Sequence, residues 1–304
     1  MATFNPGLVH LPVTPFKADQ SIDYDRFTKL LEFHLRNGAD AIGVPLPEGE
    51  DMSLKDDEQT KLLEFTIAQV KGRVPVIAHV SDAGTSIAVA RAKAAEKAGA
   101  AAIVSHPPYF WHPKASMIVE HLVRIGSAVG VPFFAYNPPV ESAGTALSTE
   151  IVLQTLERLK NFAGVVDASM EWVFMVESIS NGRKIRPDFQ LAPATDFMVS
   201  PFLVGGSGVY SPLSSVAPRL VRKTYDLCVK QQFVQARAAQ EDLATLHHLL
   251  KSNGFAGLKG ALRAMGRDCG QPRPPVRPLS NSAFDRLASE LAAMAFLKEE
   301  PRGW

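Results

Sequence analysis

Polar side chains that can move protons stand where several short apolar runs of this sequence end. They are Glu48, His79, His106 and Tyr136. A tyrosine or a carboxylate in a protected site can act as a general acid or base. Two histidines with a carboxylate can instead ligate a divalent cation that polarises a carbonyl group. No compact His-x-His or Glu-x-x-His spacing is present, so Tyr136 as acid or base is the first hypothesis, and a metal at Glu48, His79 and His106 is the alternative.

Eight short apolar runs alternate with helical stretches and must position these side chains. The runs are 7–16, 41–45, 75–80, 101–108, 132–137, 162–169, 189–194 and 208–211. Strands that alternate with helices pair in parallel through right-handed crossovers. Eight of them favour a closed barrel, and no Gly-x-Gly-x-x-Gly follows the first run, as a dinucleotide fold would require. The predicted fold class is α/β, a (β/α)₈ barrel.

The chain continues in helices after the eighth unit. We predict that residues 1–226 form the barrel and that residues 227–304 form a C-terminal helical extension packed on it. The proline-rich stretch at 270–278 is interpreted as a linker between two of these helices.

The composition excludes several classes of function. The 304 residues carry a formal net charge of +1, with basic and acidic side chains well mixed, so neither nucleic acid nor an anionic membrane is an expected partner. Cys228 and Cys269 form no Cys-x-x-Cys pair, which fits a reduced protein. The N-terminal sequence lacks the pattern of a signal peptide. The expected location is the cytoplasm.

The run "FAGVVDAS" at 162–169 is the sixth strand of the predicted barrel. Barrel enzymes carry their chemistry at the carboxyl ends of the strands, so this strand should present a reactive group there. The residues available are Val166, Asp167 and Ser169. If Val166 points into the barrel, alternation directs Asp167 outward, where a structural role is expected.

Several motifs occur in a familiar order. They are "TPF" (14–16), "GEDMSLKDDE" (49–58), "PPYF" (107–110), "YNPP" (136–139) and "GGSGVYSPLSSVAP" (205–218). With them the sequence resembles the dihydrodipicolinate synthase and N-acetylneuraminate lyase family of class I aldolase barrels over nearly its whole length. The resemblance implies an imine between a 2-oxo acid, usually pyruvate, and a lysine on strand six. Val166 stands at that lysine position.

The resemblance also indicates which positions face the substrate. It implies substrate contacts at Pro47, Glu48, Gly49, Phe110, Asn137, Glu141 and Tyr210, and an acid/base role for Tyr136. Pro47 and Glu48 replace paired threonines of the family, and Glu141 replaces an arginine. Phe110 replaces a tyrosine that family members contribute across a dimer interface. The pocket should therefore disfavour pyruvate. The turn "GGSG" could bind phosphate, although the resemblance implies a tight turn with Tyr210 facing inward.

Other lysines do not replace the missing amine in this interpretation. The lysines that follow strands, Lys17, Lys55 and Lys114, are predicted to be solvated and protonated. The lysines that precede strands, Lys160 and Lys184, lie on the wrong face of the barrel. Ser81 and Asp82 follow His79, but no nucleophilic Ser–His–Asp set is expected.

Two functions remain open. The first is a lyase or aldolase that acts on a small 2-oxo or hydroxy acid without an imine, either through Tyr136 and Glu48 or with a metal. The second is a non-catalytic homologue that binds a small ligand. No cofactor is expected, and the resemblance implies a homodimer or homotetramer.

Overall fold

A computed structural model describes residues 4–139 and 145–304, and eight parallel strands form its centre. The strands are β1 (Leu8–His10), β2 (Ala41–Val44), β3 (Val76–His79), β4 (Ala102–Ser105), β5 (Phe133–Asn137), β6 (Phe162–Asp167), β7 (Gln190–Pro193) and β8 (Val209–Ser211). Their order is β7-β6-β5-β4-β3-β2-β1-β8. The Ser207 N–H donates to the Leu191 carbonyl at 2.9 Å, which brings β7 next to the start of β8. The predicted (β/α)₈ barrel is confirmed.

Helices cover the outside of the barrel. They are α1 (Tyr24–Arg36), α2 (Asp56–Val70), α3 (Thr85–Ala98), α4 (Ala115–Gly126), α5 (Thr149–Arg158), α6 (Trp172–Ile185), α7 (Val199–Leu203) and α8 (Pro218–Val229). Local chemistry sets their ends: the Asp23 side chain caps α1, and Gly99 ends α3 with φ of 100°. Within the described ranges, no helix has the length and apolar character needed to cross a membrane.

The strands bury side chains on both faces, as parallel barrel strands do. One cluster fills the barrel interior: Val9, Leu11, Ala41, Leu46, Ile77, Ala102, Val104, Phe134, Tyr136, Val166, Ala192 and Tyr210. A larger cluster joins the outer strand faces to the helices. The interior is therefore a packed core with polar atoms from two tyrosines.

The chain after the barrel forms α9 (Phe233–Lys251), α10 (Gly254–Ala264) and α11 (Asn281–Ala293). Leu243, Leu262 and Leu287 of these helices belong to the same core cluster as the barrel–helix layer. The proposed division at residue 226 falls inside α8, and the division itself stays a prediction. The proline-rich stretch is more than a linker, because the Arg273 guanidinium binds both oxygens of Glu58 on α2 at 2.6 and 2.7 Å.

Two buried histidines pack between β1 and α1. The Nδ1 atoms of His10 and His34 lie 3.0 Å apart, and His34 Nε2 is 3.2 Å from Ser215 Oγ. Burial, and secondarily the Arg222 guanidinium, lowers the pKa of His10 to about 3. Burial lowers the pKa of His34 as well. Both rings are therefore neutral in the folded protein at neutral pH.

This pair predicts that the protein loses stability in mild acid. The unfolded chain takes up protons at His10 below its ordinary pKa of 6.5, whereas the folded chain does not until about pH 3. Stability therefore falls with pH across that window, by about 2 kcal/mol for one such histidine between pH 7.5 and 5.0. Urea unfolding at the two pH values should show that His10→Gln reduces this loss, whereas His112→Gln, at an exposed histidine, does not. Equal pH dependence for both variants would contradict the prediction.

Candidate active site at the barrel mouth

The candidate site lies at the carboxyl ends of β2 to β5. Alternation along each strand explains which side chains turn inward, because Ile77, Val104 and Phe134 belong to the interior cluster. His79, His106 and Tyr136 follow them by two residues and extend the same inward rows toward the mouth. These are three of the four side chains singled out from the sequence.

Aromatic packing brings these three rings together. The Tyr136 and His106 rings stack with centroids 4.3 Å apart and 13° between their planes. The His79 ring meets His106 edge-on at 5.1 Å, and Tyr109 meets it at 6.5 Å. Stacking and burial hold the Tyr136 ring in one orientation, with 4% of the residue exposed.

The Tyr136 hydroxyl remains protonated at neutral pH. Burial raises its pKa well above 10, and the negative charges of Glu48, Asp51 and Asp167 add to this effect. A tyrosine of this kind is a hydrogen-bond donor and a weak acid. Its electrostatic partner in the same space is Glu48.

Glu48 sits in a short 3₁₀ turn, Pro47–Gly49, directly after β2. The Thr14 hydroxyl donates to the Gly49 carbonyl at 2.6 Å and fixes this turn. Glu48 Oε2 is shielded from solvent and has no hydrogen-bond partner among the described residues. Burial, followed by the charges of Asp51 and Asp196, raises the pKa of Glu48 to about 7. Glu48 is therefore close to half ionised at neutral pH, which suits a general base.

Two carboxylates near Glu48 are not evident from the sequence. Asp51 lies in the next 3₁₀ turn, Asp51–Ser53. Asp196 follows β7 and accepts hydrogen bonds from Ser211 Oγ at 2.5 Å and the Leu213 N–H at 3.0 Å. Burial raises the pKa of Asp196 to about 6. Both lie in the segments that follow strands at the carboxyl face, and that position is the signal that could have identified them.

His79 bridges Asp51 and Ser81, which sequence reasoning missed. Asp51 Oδ2 is 3.3 Å from His79 Nδ1, and Ser81 Oγ is 2.6 Å from His79 Nε2. Residues two apart on an extended chain share a side, so Ser81 reaches His79, whereas the carboxylate is that of Asp51 and not of Asp82. Ser81 Oγ also accepts the His106 N–H at 2.7 Å. Because Ser81 is only 4% exposed, we interpret the set as a support for the His106 ring.

The geometry gives the metal alternative no support. Both ring nitrogens of His79 already have partners, and the His106 ring stacks flat on Tyr136. In residues 4–139 and 145–304, no three His, Cys, Asp or Glu side chains converge as metal ligands would. Glu48, His79 and His106 therefore do not fit a divalent cation.

Val166 points into the barrel, in register with Tyr136 on β5 and Ala192 on β7. Asp167 has the opposite orientation: its Oδ1 accepts from Asn137 Nδ2 at 2.8 Å and from Ser169 Oγ at 2.7 Å. Asn137 Oδ1 also accepts the Leu147 N–H at 2.8 Å. These contacts agree with a structural role for Asp167 and give a substrate contact at Asn137 no support.

The remaining predicted positions are distributed differently. Phe110 has φ of 79° and is 92% exposed, so its ring does not face this mouth. Tyr210 is fully buried in the barrel interior, and its hydroxyl has no partner among the described residues. The glycine-rich turn precedes β8 and lies at the opposite face, which does not support phosphate binding at the mouth. Glu141 lies outside the described residues.

No lysine is among the buried side chains of this mouth. All lysines of the chain lie in the described ranges, and each is exposed except Lys259. The Lys259 ammonium of α10 forms a buried ion pair with Glu50 Oε1 at 2.6 Å. An amine that attacks a carbonyl must be unprotonated and close to the substrate, and no lysine satisfies both conditions here.

The fold and this face define the class of protein: an aldolase-type (β/α)₈ barrel with acid–base side chains at the carboxyl ends of its strands. The model of the Dihydrodipicolinate synthetase family matches residues 5–294. The chain belongs to this family.

Individual relatives match most of the chain. The 4-hydroxy-tetrahydrodipicolinate synthase of Chlorobium phaeovibrioides (strain DSM 265 / 1930) is 32% identical over 289 residues, 94% of this chain and 96% of the relative. The 4-hydroxy-tetrahydrodipicolinate synthase of Nitrobacter hamburgensis (strain DSM 10229 / NCIMB 13809 / X14) is 34% identical over 271 residues, which cover 88% of this chain and 89% of the relative. The chloride-inhibited dihydrodipicolinate synthase of Acinetobacter baumannii, solved with pyruvate, superposes with a TM-score of 0.87 at 26% identity, covering 95% of this chain and 98% of that one.

Proposed function

We propose that this protein is a lyase or aldolase that acts on a small 2-oxo or hydroxy acid by proton transfer, without an imine. The observation that carries the proposal is that the mouth holds two shielded proton-transfer groups and buries no lysine: the Tyr136 hydroxyl, and the Glu48 carboxylate whose charge helps to raise the tyrosine pKa. Family membership supports carbon–carbon bond cleavage or formation as the reaction type. The pyruvate in the Acinetobacter baumannii relative supports an oxo acid as one reactant.

The proposed step can be written for cleavage of a 4-hydroxy-2-oxo acid. The Glu48 carboxylate takes the proton of the 4-hydroxyl group, and the bond between C3 and C4 breaks to give an aldehyde and an enolate. The Tyr136 hydroxyl donates a hydrogen bond to the enolate oxygen and then its proton to C3. The proton held by Glu48 returns to Tyr136 through water, which restores both side chains.

Two substitutions test this assignment. In D₂O, ¹H NMR should show cleavage, or exchange of the C3 protons, for at least one member of a panel of 2-oxo and 4-hydroxy-2-oxo acids with and without amino substituents. Glu48→Gln and Tyr136→Phe should each slow that reaction about 100-fold, because each removes one proton-transfer group. Tyr225→Phe, at a buried tyrosine of α8, is the matched control and should leave the rate unchanged.

The outcomes separate the two functions left open by the sequence. Equal rates in all variants would contradict the roles given to Glu48 and Tyr136. No reaction with any panel member would favour the non-catalytic ligand-binding homologue.

We also propose that the protein self-associates and that it is located in the cytoplasm. Phe110 and the half-exposed Trp111 form an apolar surface beside the mouth, which supports a homodimer or homotetramer. The two cysteines are free and buried, which suits the reducing cytoplasm.

A further inference from the structure

Glu50 joins the two 3₁₀ turns that carry carboxylates of the mouth. Its φ of 56° and ψ of 42° lie in the left-handed region, where it ends the turn of Glu48 and begins the turn of Asp51. A residue with a Cβ atom adopts this conformation at a cost in free energy, and it persists only where the surrounding structure holds it. The conformation of Glu50 therefore determines how Glu48 and Asp51 are placed relative to each other.

Two contacts hold the Glu50 side chain in the interior. Its Oε1 atom lies 2.6 Å from the Lys259 ammonium of α10, and its Oε2 atom accepts the Arg273 N–H at 2.9 Å. Both side chains of the ion pair are buried. Rotation of Glu50 out of this position would separate two buried charges, which is strongly unfavourable. The ion pair therefore opposes a change in the backbone between the two turns.

The same part of the chain holds the far end of the second turn. The Arg273 guanidinium donates to the Ser53 carbonyl at 2.8 Å. The centre of the Phe16 ring lies 4.1 Å from Lys259 Nζ and 4.4 Å from Arg273 Cζ, so this ring packs against both cations. The turn that carries Asp51 is thus bound at its end as well as at its start.

The position of the Glu48 carboxylate depends on the backbone that carries it. Its Oε2 atom is shielded and has no hydrogen-bond partner among the described residues, so no such contact anchors this oxygen. The Thr14 hydroxyl fixes the first turn by donating to the Gly49 carbonyl at 2.6 Å. The next residue, Glu50, is fixed by Lys259. Loss of the ion pair is therefore expected to move Glu48, although Lys259 binds Glu50 and not Glu48.

We propose that Lys259 is a positioning residue of the mouth: through Glu50 it holds the loop after β2 in the conformation that shields Glu48 from water. The consequence for catalysis rests on the proposed function, in which Glu48 is the base. The positioning itself does not, because the shielding of Glu48 can be measured without a substrate.

The ionisation of Glu48 reports this shielding. Burial, followed by the charges of Asp51 and Asp196, raises its pKa to about 7, whereas the ordinary value in water is 4.5. The protein is labelled with ¹³C at the glutamate side-chain carboxyl groups and titrated by NMR, and the signal that Glu48→Gln removes is that of Glu48. Glu300, a second carboxylate whose pKa is raised by burial, is assigned through Glu300→Gln and serves as an internal reference.

The test variant combines Lys259→Met with Glu50→Ala, which removes both buried charges together with the contacts that hold the turn. A second variant, Lys259→Met with Glu50→Gln, keeps the volume of the Glu50 side chain and the acceptor for the Arg273 N–H. Lys61→Met breaks the exposed ion pair with Asp57 and is the matched control. Urea unfolding and far-ultraviolet circular dichroism confirm that each variant is folded.

We expect the Glu48 midpoint to fall by about 1–2 pH units in the alanine variant and by less in the glutamine variant, with the Glu300 midpoint unchanged. Lys61→Met should leave both midpoints in place. A Glu48 midpoint that stays near 7 in the folded double variants would overturn the proposal. A Glu48 midpoint that falls together with the Glu300 midpoint would also overturn it, because that result indicates general loosening. A selective fall at Glu48 in a protein that turns over no panel member would keep the positioning role and reject the proposed lyase.

Discussion

Incubation of the natural protein with pyruvate and borohydride is expected to leave its mass unchanged in intact-protein mass spectrometry. All lysines but one have exposed side chains, and the Lys259 ammonium is bound to Glu50 in the interior. At the inward position of strand six, Val166 offers no amine. A trapped adduct on the natural protein, located by peptide mapping, would show that a lysine has taken over and would contradict the imine-free proposal.

The variant Val166→Lys, treated in the same way, tests whether the mouth still accepts pyruvate. It places an amine in an apolar row between Tyr136 and Ala192, where burial favours the neutral form that attacks a carbonyl. We expect slow adduct formation in this variant and faster formation when Glu48→Gln is added, because the negative charge that repels the pyruvate carboxylate is then removed. No adduct in either variant would show that the mouth excludes pyruvate for reasons of shape.

A second large effect, on stability, is expected from the ion pair that joins Lys259 of α10 to Glu50 in the segment after β2. Lys259 Nζ lies 2.6 Å from Glu50 Oε1 and 4.1 Å from the centre of the Phe16 ring, and the side chains of the ion pair are 3% and 1% exposed. Lys259→Met leaves the Glu50 carboxylate without its partner in the interior. Breaking a buried pair in this way costs about 3–5 kcal/mol of unfolding free energy, measured by urea denaturation.

An exposed ion pair of the same chemistry provides the control. Lys61 and Asp57 on α2 are 3.2 Å apart, with 66% and 62% of their side chains exposed. Lys61→Met should change stability by less than about 1 kcal/mol. Replacing both interior partners, Lys259→Met with Glu50→Gln, should recover part of the loss. A cost for Lys259→Met as small as that for Lys61→Met would contradict the importance of this contact.

The barrel was predictable because its signal repeats. Each strand is a short apolar run between helical stretches, so an error in the bounds of one element does not change the count of eight. The inward direction of Val166 came from the resemblance, and alternation within β6 then directed Asp167 outward. The resemblance also identified the Val166 position as that of the family's imine-forming lysine.

The polar network of the mouth was less predictable because it joins residues from several strand ends. Asp51 meets His79 only after the loop following β2 folds into two 3₁₀ turns, and local sequence does not specify that path. The negative charge of Asp196, which follows β7, helps to raise the pKa of Glu48, which follows β2. Arg273, in a stretch interpreted as a linker, binds Glu58 far away in the sequence. Contacts of this kind depend on the completed fold.

The distribution of lysine side chains determines how the protein can be chemically modified. Every lysine other than Lys259 is exposed, and none is among the buried side chains of the mouth. Amine-directed reagents such as activated esters will therefore attach dyes, biotin or a solid support to the outer surface. Protein immobilised in this way keeps the buried side chains of the mouth unmodified, so libraries of small oxo acids can be screened against it directly.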